Sequence, residues 1–93
     1  MDNSTKKISK RVTILNELGL HARPAALIAE AAQKAKSNVW MIRNGEKVDA
    51  SSIIDILTLA CLKGTEIMLQ ADDPSDRDVL DRIIILFQNG FGE

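Results

Sequence analysis

The sequence predicts an α+β domain in which a four-stranded antiparallel sheet carries three helices on one face, an open-faced β-sandwich. Segments that alternate apolar and polar residues, typical of half-buried strands, lie between segments whose apolar residues recur at helical spacing. Their order is strand, helix, strand, strand, helix, strand, helix, which favours helices layered on one sheet. The 93 residues can bury one core, so we expect a single domain over residues 1–93, with residues 1–7 as a flexible extension.

The first strand and the first helix are distinguished by their periods. The stretch from Ile8 to Leu15 alternates apolar and polar side chains, and Gly19 then interrupts it. From Pro24 to Lys36 the chain is rich in alanine, the best helix former, and its apolar residues form one stripe. That stripe comprises Leu27, Ile28, Ala31, Ala32 and Ala35.

A hairpin is predicted in the middle of the chain. Asn44-Gly45 is a strong turn signal, and the short runs Val39–Arg43 and Lys47–Asp49 flank it. If the odd-numbered residues of the first run face the core, alternation turns Trp40 and Ile42 to the outer face, whereas a shift of one residue would bury them. We favour the outward register, which leaves an apolar patch on the open face of the sheet.

A second helix is predicted over Ile53–Leu62. Ser51 or Ser52 caps its start, and Asp55 would complete a capping box if Ser52 is the cap. Lys63-Gly64 suits its end, because glycine readily adopts the left-handed conformation found after helices. The predicted inward stripe consists of Ile53, Ile56, Leu57 and Ala60.

The last two predicted elements are a strand and a helix. Glu66–Ala71 alternates again, and Asp76–Gln88 carries a helical stripe. Ser75 followed by Asp78 resembles a capping box with a short acidic partner, and Asn89-Gly90 ends the helix. The stripe comprises Leu80, Ile83, Ile84 and Phe87.

Composition and charge argue against several classes of function. The net charge of −1 disfavours a general nucleic-acid binder, which carries a basic face. One cysteine excludes an internal disulfide, and one cysteine with one histidine argues against a zinc site. We therefore expect no metal and no cofactor, with Cys61 a free thiol that is either packed in the core or partly exposed. No window approaches the roughly 20 apolar residues of a membrane span, so we expect a cytoplasmic protein without membrane insertion.

The most informative motif is Gly19-Leu20-His21-Ala22-Arg23-Pro24-Ala25, which holds the only histidine. His21 is predicted at the N-cap of the first helix, where unpaired amides and the helix dipole favour an anion and disfavour an imidazolium. A neutral imidazole is a competent nucleophile, and a phosphoryl group on it would meet the forked donors of Arg23. Pro24 fits the first turn and stiffens the helix mouth. By composition alone, His21 could instead be an ordinary surface or capping residue.

This motif resembles the active-site signature of the HPr family, the histidine-containing phosphocarriers of the bacterial phosphotransferase system. The resemblance covers about residues 10–93 without gaps. Further matching positions are Asn44-Gly45, Val48, Ser52-Ile53, Leu59, Lys63-Gly64 and Glu66-Ile67. The segment Leu86–Glu93 resembles the nitrogen-related (NPr) carriers, whereas the region around Ser52 resembles the sugar-type carriers. The branch of the family therefore stays open, with sugar uptake slightly favoured.

The resemblance implies a role for each matching residue. Enzyme I would phosphorylate Nδ1 of His21, and an EIIA-type acceptor would then take the group, so the protein would be a carrier and not an enzyme. Arg23 would steady the phosphoryl group, and Pro24 would shape the helix start. Ser52 matches the serine that HPr kinase/phosphorylase modifies in some bacteria. Asp55 departs from the family, which often has a small residue there, and its carboxylate would repel a phosphoserine.

The family also presents apolar residues around its histidine for docking. The matching residues are Leu20, Ala22, Ile53, Ile54 and Leu57. One alternative is a regulatory interaction module of the nitrogen-related branch, acting through Ser52 and the surface of the second helix. An unrelated small nucleic-acid-binding domain would need basic and aromatic residues on one sheet face, which the near-neutral charge and the absence of tyrosine disfavour. We expect a monomer.

Overall fold

The computed structural model describes residues 6–93 and confirms the predicted fold class. The four antiparallel strands are β1 (Ile8–Thr13), β2 (Val39–Arg43), β3 (Glu46–Asp49) and β4 (Glu66–Ala71), in the sheet order β1-β4-β2-β3. The helices are α1 (Ala22–Ala32), α2 (Ile53–Thr58) and α3 (Arg77–Gln88), with single 3₁₀ turns at Pro74–Asp76 and Gly90–Gly92. The predicted extension over residues 1–7 falls mostly on residues 1–5, which lie outside the described residues.

The register of the sheet separates a buried face from an open one. Met41 of β2 lies opposite Leu69 of β4, and both are fully buried. Trp40 and Ile42 lie on the outer face, as the favoured register predicted, but both are half-buried. The indole Nε1 of Trp40 donates to Oδ1 of Asp72 at 3.0 Å. This bond satisfies the one polar atom of the ring. It holds the indole against the end of β4, because Asp72 directly follows that strand.

The core lies between the buried face of the sheet and the helices. α1 packs against both α2 and α3, and α3 also contacts β1 and β4. Each fully buried large aliphatic or aromatic side chain contributes about 1.5–3 kcal/mol relative to an exposed one. The largest of them are Phe87, Ile14, Ile28, Met41, Ile56 and Leu59. Among the helices of residues 6–93, none combines the length and the apolar character that crossing a membrane requires.

The second helix is shorter than predicted. α2 ends at Thr58 because Ala60 adopts a left-handed conformation with φ of 51°, and the guanidinium of Arg43 donates to the Leu59 carbonyl at 3.0 Å. The predicted inward stripe is therefore wrong in three of its four members. Only Ile56 is buried, whereas Ile53, Leu57 and Ala60 are exposed.

The capping box predicted at Ser75 and Asp78 is also wrong. Asp73 caps the 3₁₀ turn by accepting from the Ser75 backbone N–H at 2.8 Å. Asp76 instead reaches across to the end of α1, where its carboxylate accepts from the backbone N–H groups of Lys36 (2.9 Å) and Ser37 (2.8 Å) and from the Ser37 hydroxyl. After Ala32 the chain continues with i to i+3 bonds from Lys34 to Ala31 and from Ala35 to Ala32, and the N–H groups of Lys36 and Ser37 bond Asp76, so α1 does not reach Lys36 as predicted.

Asp76 is only 3% exposed. Burial raises the pKa of its carboxyl, but the hydrogen bonds from Lys36 and Ser37 together outweigh it and hold the pKa below its ordinary value. The ionised carboxylate is thus the form that the folded protein prefers. It joins the end of α1 to the start of α3.

We predict that Asp76→Asn lowers the free energy of unfolding by about 2–3 kcal/mol at neutral pH, because the amide cannot accept all three bonds and turns a donor towards Ser37. Since the pKa of Asp76 is lowered on folding, this contribution is present above the ordinary aspartate pKa and is lost as pH falls through the lowered one. Urea unfolding at several pH values checks both points. Asp78→Asn, on the exposed first turn of α3, is the control; equal losses in the two variants would contradict the account.

Candidate functional site

The loop that leads into α1 is held by backbone hydrogen bonds to the segment after α2. The N–H of Ile14 donates to the Thr65 carbonyl at 3.0 Å, and Gly64 returns a bond to the Ile14 carbonyl at 2.8 Å. Further along, the N–H of Leu20 donates to the Cys61 carbonyl at 3.0 Å. The residue before His21 is therefore fixed from outside its own loop.

Gly19 is the point of closest approach between the two segments. Its φ is +68°, and a Cβ built there would lie 2.4 Å from the Cys61 carbonyl oxygen, closer than van der Waals contact permits. Leu20, which follows it, is 5% exposed and belongs to the core. The prediction that Leu20 forms part of a docking surface is therefore wrong, because its side chain anchors the loop beneath that surface.

His21 occupies the predicted N-cap position of α1. Its backbone is extended (φ −87°, ψ −168°), its N–H donates to the Gly19 carbonyl at 3.1 Å, and its carbonyl accepts from Ala25 at 3.0 Å. α1 therefore begins at Ala22, as an N-cap at His21 predicts, with Pro24 buried in the first turn. Across residues 6–93, no side chain caps the helix start, so its first amides remain available to an anion.

The imidazole of His21 contacts a residue that the sequence analysis did not single out. Its Nε2 lies 2.6 Å from Oε2 of Glu93, and the two side chains are 34% and 17% exposed. A carboxylate accepts, so Nε2 carries the proton in this pair. The one available signal is the apolar Phe91 between Gly90 and Gly92, which is typical of a turn that returns the chain to the core.

Asn16 holds the other oxygen of Glu93. Its Nδ2 donates to Oε1 of Glu93 at 2.9 Å and to the Gly19 carbonyl at 2.8 Å. The bond from Asn16 is the largest influence on the pKa of Glu93; burial raises that pKa, whereas the bond and charge of His21 and the charge of Arg23 lower it further. The net effect holds the Glu93 carboxyl below its ordinary pKa and keeps it ionised.

These residues line one open cleft. Its walls are formed by Leu15, Asn16, Glu17, Leu18, His21, Arg23 and Glu93. Arg23 is exposed, so its guanidinium is free to turn towards an anion on the imidazole. The cleft combines an imidazole, free helix amides and the Arg23 cation with the carboxylates of Glu17 and Glu93, and its amides and cation suit an anion. Throughout the described residues, no group of three or more His, Cys, Asp or Glu side chains is arranged to hold a metal ion.

Ser52 is the N-cap of α2, which settles the choice between Ser51 and Ser52. Its Oγ accepts from the Asp55 backbone N–H at 3.2 Å. The predicted capping box is not completed, because the Ser52 N–H donates to the Asp49 carbonyl at 3.2 Å. Ser51 instead donates its hydroxyl to Oδ1 of Asp49 at 2.7 Å.

Four of the five predicted docking residues are at the surface. Ile54 is 73% exposed, and Ile53, Leu57 and Ala22 are also exposed. Cys61, by contrast, is buried, and that burial raises the pKa of its thiol above the ordinary value, with Glu46 adding to the rise and Arg43 opposing it. The thiol is therefore packed in the core, the first of the two predicted alternatives.

Comparison with known proteins settles the family. A family model described as the PTS HPr component phosphorylation site matches residues 8–89. The chain belongs to the HPr family. The HPr-family relatives include the phosphocarrier protein HPr of Cupriavidus necator, 40% identical over 92% of this chain and 97% of that one. The phosphocarrier protein NPr of Escherichia coli K12 is 38% identical, over 92% of this chain and 97% of that one.

The fold of this chain matches that of a solved HPr structure. The crystal structure of HPr-C-His from Thermoanaerobacter tengcongensis superimposes with a TM-score of 0.83 at 34% identity, covering 95% of this chain and 97% of that one. Membership of the HPr family makes the protein a phosphocarrier of the phosphotransferase system and not an enzyme.

We predict that Gly19→Ala lowers the free energy of unfolding by more than Gly64→Ala. Both substitutions put a side chain on left-handed backbone, at φ of +68° and +91°, which costs about 1–2 kcal/mol. Only at residue 19 would the Cβ also overlap a backbone carbonyl, since nothing lies within 4 Å of a Cβ at Gly64. Urea unfolding of both variants measures the difference, and a smaller loss for Gly19→Ala would contradict the close approach.

Proposed function

We propose that this phosphocarrier acts in the cytoplasm by accepting a phosphoryl group from phosphorylated enzyme I on Nδ1 of His21 and passing it to an EIIA-type acceptor. The observation that carries the proposal is the position of the imidazole at the open mouth of α1, with Nε2 bound to Glu93. Because Nε2 holds the proton, the lone pair of the neutral ring lies on Nδ1. That nitrogen is the nucleophile.

The transfer is a displacement at phosphorus. The Nδ1 lone pair forms a bond to the phosphorus while the bond between phosphorus and the donor atom of enzyme I breaks, and the electron pair of that bond stays with the donor atom. The product carries the phosphoryl group on Nδ1 and retains the proton on Nε2. The reverse steps deliver the group to the acceptor.

The surroundings of His21 suit a group that must be held briefly and then released. Helix amides and Arg23 both favour the phosphoryl oxygens, but the cleft is open and Arg23 is exposed. An anion at an exposed helix start gains only about 0.3–1 kcal/mol from the dipole. Such modest stabilisation allows transfer in either direction, whereas a buried clamp would retain the group.

The surface of α2 supports docking of the protein partners. Ile54 stands 73% exposed, beside the exposed Ile53 and Leu57, on the helix that packs against α1. Apolar side chains exposed together favour contact with a partner. The partner would cover them while the cleft of His21 stays open to its phosphorylated residue.

Incubation with phosphoenolpyruvate and an active bacterial enzyme I is expected to add one phosphoryl group, seen by intact mass. The adduct should disappear after mild acid, because acid keeps the phosphorylated ring protonated on Nε2, the form that leaves as neutral imidazole. His21→Ala should acquire no label, whereas Gln88→Ala, on the exposed side of α3, should be labelled as the wild type is. Labelling of His21→Ala, or no labelling of the wild type, would overturn the proposal in favour of a regulatory module.

We further propose that Ser52 is a regulatory site for an HPr kinase/phosphorylase. The half-exposed hydroxyl caps a helix, where an added phosphate would meet backbone amides. Asp55 opposes this, because its carboxylate lies in the first turn of the same helix. The kinase is therefore expected to act slowly on the natural sequence.

Asp55→Asn is expected to raise the rate of ATP-dependent phosphorylation of Ser52 by about threefold to tenfold, because it removes one like charge beside the product. Phosphopeptide mass spectrometry with an HPr kinase/phosphorylase measures the rate. Ser52→Ala should abolish the label and Ser51→Ala should not. A label that survives in Ser52→Ala would refute the assignment.

A further inference from the structure

The segment after α3 turns back to bring Glu93 to the imidazole. Phe91 is 5% exposed, and its ring packs edge-on against Phe87 with the ring centroids 4.9 Å apart. Phe91 has a φ of +58°, a strained conformation for a residue with a side chain, and the glycines on either side are also left-handed. The chain therefore accepts backbone strain in order to make this turn.

The loop before α1 contains a second unfavourable feature, a buried polar atom of Asn16, beside the contact between Glu93 and His21. Asn16 is 6% exposed, and both groups facing its Nδ2 are oxygen acceptors, which fixes the orientation of the amide. Its Oδ1 is then left buried without a hydrogen-bond partner among the described residues. Leaving a buried acceptor unpaired costs free energy, so the bond to Glu93 is formed at the expense of stability.

From these two features we infer that Glu93 and Asn16 act as a positioning pair that holds the His21 ring with its proton on Nε2. This inference rests on the proposed function for its catalytic meaning. Asn16 fixes one carboxylate oxygen at 2.9 Å, and the other oxygen accepts from Nε2 at 2.6 Å. By holding the proton on Nε2, the pair leaves the lone pair of the neutral ring on Nδ1.

The pair serves both directions of transfer. When Nδ1 forms its bond to phosphorus, the ring becomes a phosphorylated imidazolium that retains the Nε2 proton, and the carboxylate stabilises that positive charge. When the group leaves, the electron pair of the breaking bond returns to Nδ1 and the ring departs as neutral imidazole. Without a fixed acceptor at Nε2, part of the ring population would carry its proton on Nδ1 and could not attack.

The geometry explains why a carboxylate is needed. Two donors, Nδ2 of Asn16 and Nε2 of His21, converge on the side chain of Glu93. A carboxylate offers an oxygen to each, whereas glutamine has one oxygen and one amide group. Glu93→Gln would therefore leave one of the two donors facing another donor.

The first test measures which ring nitrogen of His21 carries the proton in the unphosphorylated protein. In ¹⁵N NMR of protein with labelled histidine, under conditions in which the imidazole is neutral, the wild type should show Nε2 protonated and Nδ1 unprotonated. Glu93→Ala and Glu93→Gln should show a mixture of both forms, and Asn16→Ala should shift the populations in the same direction. Glu66→Gln is the charge-matched control, because Glu66 is exposed on β4 and lies outside the lining of the His21 cleft.

The same variants are then phosphorylated by enzyme I. We expect the rate of acceptance to fall about threefold to tenfold in Glu93→Ala, the effect of one charge-assisted hydrogen bond at a part-exposed site, and to stay unchanged in Glu66→Gln. Unchanged ring populations in both Glu93 variants would overturn the inference even if the wild type is phosphorylated. A wild type that shows the predicted ring form but takes no phosphate would overturn the proposed function alone.

Discussion

The whole site depends on the backbone of Gly19 passing directly against the carbonyl of Cys61. The crossing is close enough that no other residue fits there without displacement, and the adjacent bond from Leu20 to the same carbonyl locks it. Leu20 is then drawn into the core and His21, the next residue, turns out at the start of α1. A backbone contact between two loops thus determines where the imidazole lies.

Around that fixed ring, the protein arranges weak and mostly exposed interactions. The helix start attracts an anion, Arg23 can approach it, and Glu93 accepts a hydrogen bond from Nε2 of the ring. None of these groups encloses the cleft, so water screens each of them. A phosphocarrier needs this balance, because a group held much more tightly on one protein than on the next would cease to move along the relay. The strain at Phe91 and the unpaired oxygen of Asn16 show that the balance is built at some cost in stability.

The sequence predicts those parts of the structure that local periodicity and capping control. The alternation in β2 identified the core side of the strand, and the motif around His21 identified an N-cap. Prediction from the sequence failed where contacts with distant segments determine burial or helix length. Leu20 is buried because of the segment after α2, and α2 stops early because Ala60 turns left-handed to let that segment reach the loop.

Glu93 is the clearest case of a residue that sequence patterns cannot place. It lies 72 positions from its histidine partner, and its approach requires three successive left-handed residues after α3, one of them Phe91. Propensity argues against that conformation at a phenylalanine, and only burial of the ring against Phe87 offsets it. Asp76 follows the same logic, since its partners at the end of α1 lie 39 and 40 positions away.

The proposed phosphoryl acceptor is Nδ1 of His21, at the open mouth of α1. The most direct measurement is ¹⁵N–³¹P coupling in the protein phosphorylated by enzyme I with ¹⁵N-labelled histidine. We expect the phosphorus to couple to Nδ1 of His21, the nitrogen that Glu93 leaves free. Coupling to Nε2 would require the contact with Glu93 to break before transfer and would refute Nδ1 as the acceptor.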